Sequence, residues 1–352
     1  MGTRPNFMKI GPVQAALAAR PDEFEICLVH TGQHYDSVMS DVFLEELGIG
    51  APDRALDVGS GTHAQQTARV MERLEPVLEA ERPDLVLVPG DVNSTLAAAL
   101  VAVKLGIRVG HVEAGLRSFD RTMPEEINRV LTDKVSDLLF THSPEAEDHL
   151  LAEGCDEAAI HYVGNTMIDT LVALRDRIAA SGATAAHGLE PGGFVLVTLH
   201  RPALVDGPLL KEAADGLARL AAELPVFFPA HPRTQKAIRA LGIGEIPGVV
   251  IADPLGYLDF LNLLSGAAAA LTDSGGIQEE ATFLGIPCFT LRDNTERPVT
   301  VSMGTNMLLG LQPARIAEVP QLIESVRARG TTVPPLWDGS AAPRIADVLA
   351  RL

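Results

Sequence analysis

The chain has 352 residues, enough for two domains of ordinary size, and 47% of them are hydrophobic, so two sizeable cores can be buried. Aromatic residues make up only 4%, which leaves Ala, Leu, Val and Ile to build those cores. The formal net charge of −18 disfavours nucleic acid and anionic membranes as partners, and no apolar run is long enough to span a bilayer.

Alternating apolar strands and helices run through the first half of the sequence. The predicted strands cover residues 24–31, 85–88, 107–112, 138–141 and 160–163. The predicted helices cover 12–20, 37–47, 62–79, 96–105 and 123–137, and another starts at Ser143. Continuous apolar strands joined through helices are typical of a parallel sheet covered on both faces. Residues 2–5 are predicted to form a turn with no strand before it, so we expect a further strand upstream.

The second half repeats the alternation. Residues 164–174 are predicted to cross between the halves, and 181–193 to form a surface loop. The predicted strands cover 194–199, 226–228, 249–252, 267–272 and 288–291, and the helices 209–223, 257–264 and 316–329. The sequence therefore predicts an α/β fold of two Rossmann-like domains, 1–166 and 167–335, facing a central cleft. A closing helix within 336–352 is expected to pack back on the first domain.

Three cysteines, Cys27, Cys155 and Cys288, lie far apart in apolar surroundings. Their odd number and their spacing match neither a disulfide framework nor a metal site. We therefore expect reduced thiols, a cytoplasmic protein and no bound metal.

The segment LTDSGGIQEEATFLGIP (271–287) is the strongest candidate for a ligand site. It combines a strand end, a tight turn and a helix start, which direct free N–H groups and the positive end of the helix dipole at an anion. Gly275 and Gly276 let the backbone approach a phosphate, and Ser274 adds a hydroxyl donor. Glu280, one turn further on, could accept hydrogen bonds from ribose hydroxyls. The alternative is an ordinary turn in which Ser274 only caps the helix.

Three carboxylates of the first half are candidates for proton transfer. Asp91 and Glu113 each follow a predicted strand, and Glu125 lies at a helix start. Because ligands bind beyond the carboxyl ends of parallel strands, we expect these groups in one site. Carboxyl groups that share a site hold different pKa values, so one can act as base and another as acid. Each residue taken alone could instead be a capping or solvated acid.

Cations and one histidine complete the candidate site. His200 follows strand 194–199 and could protonate a leaving phosphate, or it could be a satisfied buried histidine. Arg4 and Lys9 flank a helix start, where phosphate contacts are favoured, although solvated surface cations are the alternative. Arg297 ends a polar loop, 292–297, expected at the same edge of the second sheet.

These motifs, in this order, resemble those of the non-hydrolysing UDP-N-acetylglucosamine 2-epimerases. The matching segments are GTRPNFMK, TGQH, PGDVNST, HVEAGLRS, MPEEINR, VGN, TLHRP, DPLGYLDF, LTDSGGIQEEA and RDNTERP. The resemblance implies a GT-B-like fold and a reversible interconversion of UDP-GlcNAc and UDP-ManNAc. The implied course is anti elimination of UDP to a 2-acetamidoglucal and re-addition of UDP, without NAD or metal, in a homodimer.

The resemblance also implies roles for the candidate residues. Asp91, Glu113 and Glu125 match the family's acid–base positions, with the residue that removes the C2 proton left open, and His200 matches the position that assists UDP departure. The implied substrate contacts are Arg4, Lys9, Ser274, Gly275 and Gly276 at the diphosphate, Glu280 at the ribose, Phe260 beside the uracil and Arg297 on the nucleotide side.

One departure from the family pattern concerns regulation. The common HRREN reads HRPAL here, with Pro202, Ala203 and Leu204 in place of Arg, Glu and Asn. In bacterial members that stretch and the TGQH loop help to bind a second UDP-GlcNAc as an activator. Gln33 and His34 of the loop remain. We therefore expect weak or absent substrate activation.

Three alternative functions stay open at this stage. A hydrolysing relative would share the elimination step but release ManNAc and UDP. A GT-B glycosyltransferase would move the sugar to an acceptor, although carboxylates at strand ends favour proton abstraction and no DxD metal motif occurs. A nucleotide-sugar sensor would bind the substrate without exchanging its C2 proton.

Overall fold

The computed structural model describes residues 4–32, with side chains from residue 6 onward, 46–243 and 245–352. These residues form two compact units. Unit 1 is drawn from Met1–Ala173 and Pro335–Leu352, and unit 2 is Leu174–Pro334. A bilayer-spanning helix is not found in the described part of the chain.

Strands and helices alternate through both units. The strands are β1 (Val29–His30), β2 (Arg54–Ala55), β3 (Leu85–Pro89), β4 (Arg108–Ala114), β5 (Leu138–Thr141), β6 (Ile160–Tyr162), β7 (Val195–Thr198), β8 (Val226–Pro229), β9 (Val249–Ala252), β10 (Ala269–Thr272), β11 (Cys288–Thr290) and β12 (Asn306–Leu308). The α-helices are α1 (Arg4–Ala18), α2 (His63–Glu81), α3 (Asn93–Lys104), α4 (Pro124–Val135), α5 (Pro144–Ala152), α6 (Thr166–Ala173), α7 (Arg175–Ser181), α8 (Ala183–Ala186), α9 (Pro202–Val205), α10 (Leu209–Ala221), α11 (Pro232–Ala240), α12 (Tyr257–Gly266), α13 (Gly275–Leu284), α14 (Val299–Ser302), α15 (Val319–Ala328) and α16 (Ala341–Leu349).

Unit 1 contains a parallel sheet in the order β3-β4-β5-β6 and a short parallel pair, β1-β2. One apolar cluster joins the sheet to α1 and α16 through residues such as Val13, Phe140 and Ile345. A second cluster joins it to α2 and α3 through Leu74 and Ala99. Strand β4 lies between β3 and β5 and is buried almost throughout, on both faces of the sheet. Its sequence therefore lacks the alternation of apolar and polar residues that a strand with one exposed face would have.

Unit 2 contains a six-stranded parallel sheet in the order β12-β11-β10-β7-β8-β9. Its central strands β7 and β10 pair directly, so the chain crosses from β9 at one edge back to β10 beside β7. This reversal is the topological switch point at which parallel α/β sheets bind ligands. The core is aliphatic apart from a few phenylalanines such as Phe228 and Phe289, as the composition predicts.

Helix α1 differs from its prediction. It begins at Arg4 and passes through Pro12, where a helix was predicted only from residue 12 onward. Pro12 has no N–H to donate to the carbonyl of Met8 one turn back. Thr170 Oγ1 donates to that carbonyl at 2.6 Å instead. A hydrogen bond from α6 therefore replaces the one that Pro12 cannot donate. The sequence around Pro12 gives no sign of this long-range hydrogen bond.

Other boundaries differ in smaller ways. The strand predicted over 24–31 is confined to β1, and the predicted loop 181–193 contains α8. The elements that were not predicted are helices α6, α7, α9, α11 and α14 and strands β2 and β12. Most of the helix predicted over 37–47 lies outside the described residues. The remaining predicted strands and helices are confirmed to within a few residues at each end.

Candidate functional site

The carboxyl ends of β3 and β4 bring Asp91 and Glu113 to the same edge of unit 1, because the two strands are parallel neighbours. Gly90 precedes Asp91 with φ 66°. A Cβ at Gly90 would come within 2.9 Å of Lys9 Nζ and 3.4 Å of Glu113 Oε2. Only glycine fits there, so the backbone before Asp91 lies directly against the groups around Glu113.

Glu113 forms a buried ion pair with Lys9, which the structure places inside α1 rather than at a helix start. Its backbone has φ 72°, at the point where the register of β4 against β5 shifts between Val112 and Ala114. A left-handed residue other than glycine costs on the order of 1–3 kcal/mol and persists only where its surroundings fix it. Strained backbone of this kind clusters at functional sites, which favours the predicted role of Glu113.

Helix α4 supplies the partners of Asp91. Arg129 pairs with both Asp91 and Glu126, and Asn128 Nδ2 donates to the Asp91 carbonyl at 2.9 Å. Glu125, the third predicted carboxylate, is half-buried in the first turn of the same helix. Glu125 was predicted from the sequence, whereas Glu126, Asn128 and Arg129 were not. The spacing of three between Glu126 and Arg129 on a helix was the available signal.

A second buried charge network supports unit 1 and involves none of the predicted site residues. Asp133 faces His111 Nδ1 at 2.6 Å and Arg117 Nη1 at 2.7 Å, and Arg117 Nε also reaches Glu153 at 2.7 Å. Burial opposes ionisation of Asp133, yet the charges and hydrogen bonds of His111 and Arg117 lower its pKa below the ordinary value. We regard this network as structural.

The predicted anion-binding turn joins β10 to α13 in unit 2. Ser274 is the N-cap residue of the helix, but its side chain makes no capping hydrogen bond. Gln278 is buried and donates to the Ser274 carbonyl at 3.1 Å, while its Oε1 accepts from Thr295 at 2.6 Å and from Asn306 at 2.9 Å. The turn is therefore held from within the unit. The first N–H groups of α13 have no intrahelical acceptor and suit an anion.

His200 is oriented by Asp273, a residue the sequence analysis did not assign. Asp273 Oδ2 accepts from the backbone N–H of His200 at 2.8 Å and of Arg201 at 2.7 Å, and Oδ1 lies 2.9 Å from His200 Nδ1. Burial opposes ionisation of Asp273, but the hydrogen bond and charge of His200 and the two backbone bonds lower its pKa below the ordinary value. The His200 side chain is 48% exposed, so it is not the buried, satisfied histidine of the alternative.

Arg297 is buried against the turn. Its Nε lies 3.0 Å from Glu279 Oε2 and its Nη1 3.4 Å from Glu296 Oε2. Arg292 pairs with Glu296 at 2.7 Å on the other side. Glu279 and Glu296 balance the charges of the two arginines, so the anion preference of this turn rests on its backbone N–H groups, with Arg297 packed directly against Gly275.

Replacing Gly275 by Ala is expected to weaken UDP binding. An added Cβ would lie 2.5 Å from Arg297 Nη1 and 3.0 Å from Cζ, and the buried ion pairs of Arg297 prevent it from moving freely. Overpacking of this kind costs about 1–3 kcal/mol, so titration calorimetry with UDP should show Kd raised about tenfold or more. Gly207→Ala is the matched control, since a Cβ there meets no atom within 4 Å. An unchanged Kd in Gly275→Ala would contradict the assignment of the turn.

The remaining predicted nucleotide contacts lie on two helices of unit 2. Glu280 on α13 is buried and accepts from the Tyr257 hydroxyl at 2.9 Å, which fixes one carboxylate oxygen. Phe260, half-buried, follows Tyr257 on α12 by less than one turn. Gly276 is the second residue of α13.

Three predicted residues cannot be placed in the site. Gln33 and His34 lie outside the described residues. Arg4 begins α1, but its side chain lies outside the described part.

Comparison with known proteins gives consistent matches. The chain matches the UDP-N-acetylglucosamine 2-epimerase family over residues 15–350. It is 40% identical to a UDP-N-acetylglucosamine 2-epimerase of Methanococcus maripaludis, over 99% of this chain and 96% of the relative. It is 43% identical to a UDP-2,3-diacetamido-2,3-dideoxy-D-glucuronate 2-epimerase of Pseudomonas aeruginosa, over 100% and 98%. The crystal structure of Methanocaldococcus jannaschii UDP-GlcNAc 2-epimerase in complex with UDP-GlcNAc and UDP has a TM-score of 0.88 at 40% identity, covering 100% and 98% of the two chains.

Two parallel α/β units, one with charged carboxylates at its strand ends and one with a glycine-rich turn before a helix, define an enzyme of the Rossmann type. The chain belongs to the UDP-N-acetylglucosamine 2-epimerase family, whose members are isomerases. The predictions of an α/β fold with Rossmann-like units and of an epimerase are thereby confirmed.

Proposed function

We propose that the protein interconverts UDP-GlcNAc and UDP-ManNAc by epimerisation at C2. The observation that carries this proposal is the buried Glu113–Lys9 ion pair at a strained strand end, on the same sheet edge as Asp91. A carboxylate fixed in position at a strand end can act as a general acid or base toward a substrate bound beside it. The two family relatives, which act by name on UDP-linked acetamido sugars, support the substrate class.

The reaction we propose has two halves. A carboxylate takes the proton from C2, and the electron pair of that C–H bond forms the C1–C2 double bond of a 2-acetamidoglucal. At the same time the C1–O bond to UDP breaks, and its electron pair leaves on the UDP oxygen. A carboxylic acid on the other face then returns a proton to C2, and the UDP oxygen forms the bond to C1 again. Asp91, Glu113 and Glu125 are the proposed proton carriers.

His200 is the proposed group that assists UDP departure. Asp273 holds Nδ1, so Nε2 is the nitrogen that can donate to the leaving phosphate. The proposed nucleotide contacts are Arg4, Ser274, Gly275 and Gly276 at the diphosphate, Glu280 at the ribose, Phe260 beside the uracil and Arg297 behind the turn. Lys9, which the resemblance assigned to the diphosphate, is proposed here to serve Glu113.

Proton NMR of UDP-GlcNAc incubated with the protein in D2O tests the proposal. The expected result is deuterium at C2 and the appearance of UDP-ManNAc with little free UDP. Free UDP that grows with turnover would indicate the hydrolysing reaction instead. No exchange at C2 would contradict an epimerase acting on this sugar.

A second candidate substrate is UDP-2,3-diacetamido-2,3-dideoxy-D-glucuronate, because the relative named for it is 43% identical over the whole chain. The same exchange experiment with this sugar decides between the two. A kcat/KM at least tenfold higher for one sugar identifies the substrate, since tenfold corresponds to about 1.4 kcal/mol of transition-state binding.

Substrate activation is proposed to be weak. The last three residues of the HRPAL segment begin α9. Leu204 stands where the family pattern has Asn, and its side chain is buried in the core of unit 2, so it offers no polar group to a second nucleotide sugar. Hyperbolic kinetics with UDP-ManNAc alone would agree with this proposal, whereas strict dependence on added UDP-GlcNAc would contradict it. A homodimer and a cytoplasmic location remain predictions.

A further inference from the structure

Arg129 is a buried cation on α4, the helix that carries the predicted carboxylate Glu125, and it contacts Asp91 directly. Its side chain is only 3% exposed. Nη2 faces Asp91 Oδ2 and Nη1 faces Glu126 Oε2, so one guanidinium bridges two carboxylates. The rigid fork of Arg favours such a bridge, which Lys cannot reproduce.

The far end of this bridge is fixed. Glu126 accepts hydrogen bonds from Ser118 N, Ser118 Oγ and Phe119 N, each at 2.9 Å. These bonds tie Glu126 to the loop between β4 and α4, so its carboxylate is held on both sides. Arg129 is therefore held at one end before it reaches Asp91.

The near end is fixed as well. Asn128, the residue before Arg129, donates to the Asp91 carbonyl at 2.9 Å. Adjacent residues of α4 therefore hold the backbone and the side chain of Asp91. With 20% of its side chain exposed, Asp91 also remains accessible to a ligand.

We propose that Arg129 is a positioning residue for the reaction, which holds the Asp91 carboxylate in one orientation for proton transfer at C2 and supplies its counter-charge. The inference rests on the proposed function. Removing Arg129 leaves Asp91 in place but free to rotate, and a misplacement of about 1 Å can lower the rate on the order of 10²-fold.

The test compares two buried arginines of unit 1. Arg129→Gln and Arg129→Lys are measured beside Arg117→Lys, since Arg117 also bridges two carboxylates, Asp133 and Glu153. C2 deuterium exchange gives kcat and KM, and urea unfolding gives stability. We expect kcat to fall about 10²-fold in Arg129→Gln and about tenfold in Arg129→Lys, with KM changed less than about threefold. Arg117→Lys should lose stability to a similar degree but keep kcat within about threefold.

A double mutant establishes whether Arg129 acts through Asp91. If it does, Asp91→Asn/Arg129→Gln should be no slower than Asp91→Asn alone, because the carboxylate to be positioned is already absent. Additive losses would overturn the inference, as would a wild-type kcat in Arg129→Gln or an equal loss in Arg117→Lys. A wild-type protein that exchanges neither UDP-sugar would overturn the proposed function itself, and the inference with it.

Discussion

Glu113→Gln is expected to abolish C2 exchange almost completely. Gln keeps the volume of the side chain but cannot accept the proton, and a positioned acid or base contributes about 10²–10⁴-fold to a rate. Binding of UDP should persist, because Gln keeps the volume of Glu113 and the proposed diphosphate contacts lie at Ser274–Gly276. Deuterium incorporation by NMR and calorimetry with UDP measure the two quantities. Exchange within about tenfold of wild type would remove Glu113 from the mechanism.

The same substitution should also lower stability, and a second variant separates the two effects. Lys9 is 6% exposed, so losing its partner leaves a buried ammonium group uncompensated at a cost of about 3–5 kcal/mol. Lys9→Met/Glu113→Gln removes that charge and should recover most of the free energy of unfolding in urea. It should not recover exchange at C2. Recovery of both would show that Glu113→Gln acts through folding alone.

Some of the site could be predicted because it depends on local patterns. The apolar run 85–88 and the buried run of β4 define parallel strands, and the rule that ligands bind beyond carboxyl ends then selects Asp91 and Glu113. The glycine-rich turn after β10 follows from the same logic. The fold class follows from the alternation of such segments.

The partners of these residues could not be predicted, since each lies far away in the chain. Lys9 meets Glu113 only because α1 packs against a face of the sheet, and Thr170 donates to the Met8 carbonyl that Pro12 of the same helix cannot reach. Asp273 meets His200 because β10 pairs with β7, a pairing that skips two intervening strands. Charge, capping and periodicity are read over one or two turns of chain, so they do not report such contacts.

Asp273→Asn is expected to lower kcat by about 10²-fold or more while leaving the fold intact. The Asn oxygen can still accept from the N–H groups of His200 and Arg201, but its NH₂ then faces His200 Nδ1. An NH₂ group cannot accept the Nδ1–H hydrogen bond. The neutral ring must therefore carry its proton on Nε2, and a protonated ring would lose the counter-charge of the carboxylate. The charged donor for the departing UDP is therefore lost, which is worth about 10²–10³ in kcat for comparable groups.

Two controls define what Asp273 contributes. His200→Gln/Asp273→Asn should be no slower than His200→Gln alone, whereas additive losses would show that Asp273 does not act through the ring.

The second control is the pH dependence of stability. The pKa of Asp273 is lowered in the folded protein, so its ionised form adds stability. This stability is fully present above about pH 5 and is lost as pH falls below 3.8, the ordinary pKa of the group. The difference in unfolding free energy between wild type and Asp273→Asn should therefore shrink toward acid pH. A difference that stays constant from about pH 6 to about pH 3 would show that the carboxylate charge does not stabilise unit 2, and that Asp273 holds His200 by hydrogen bonding alone.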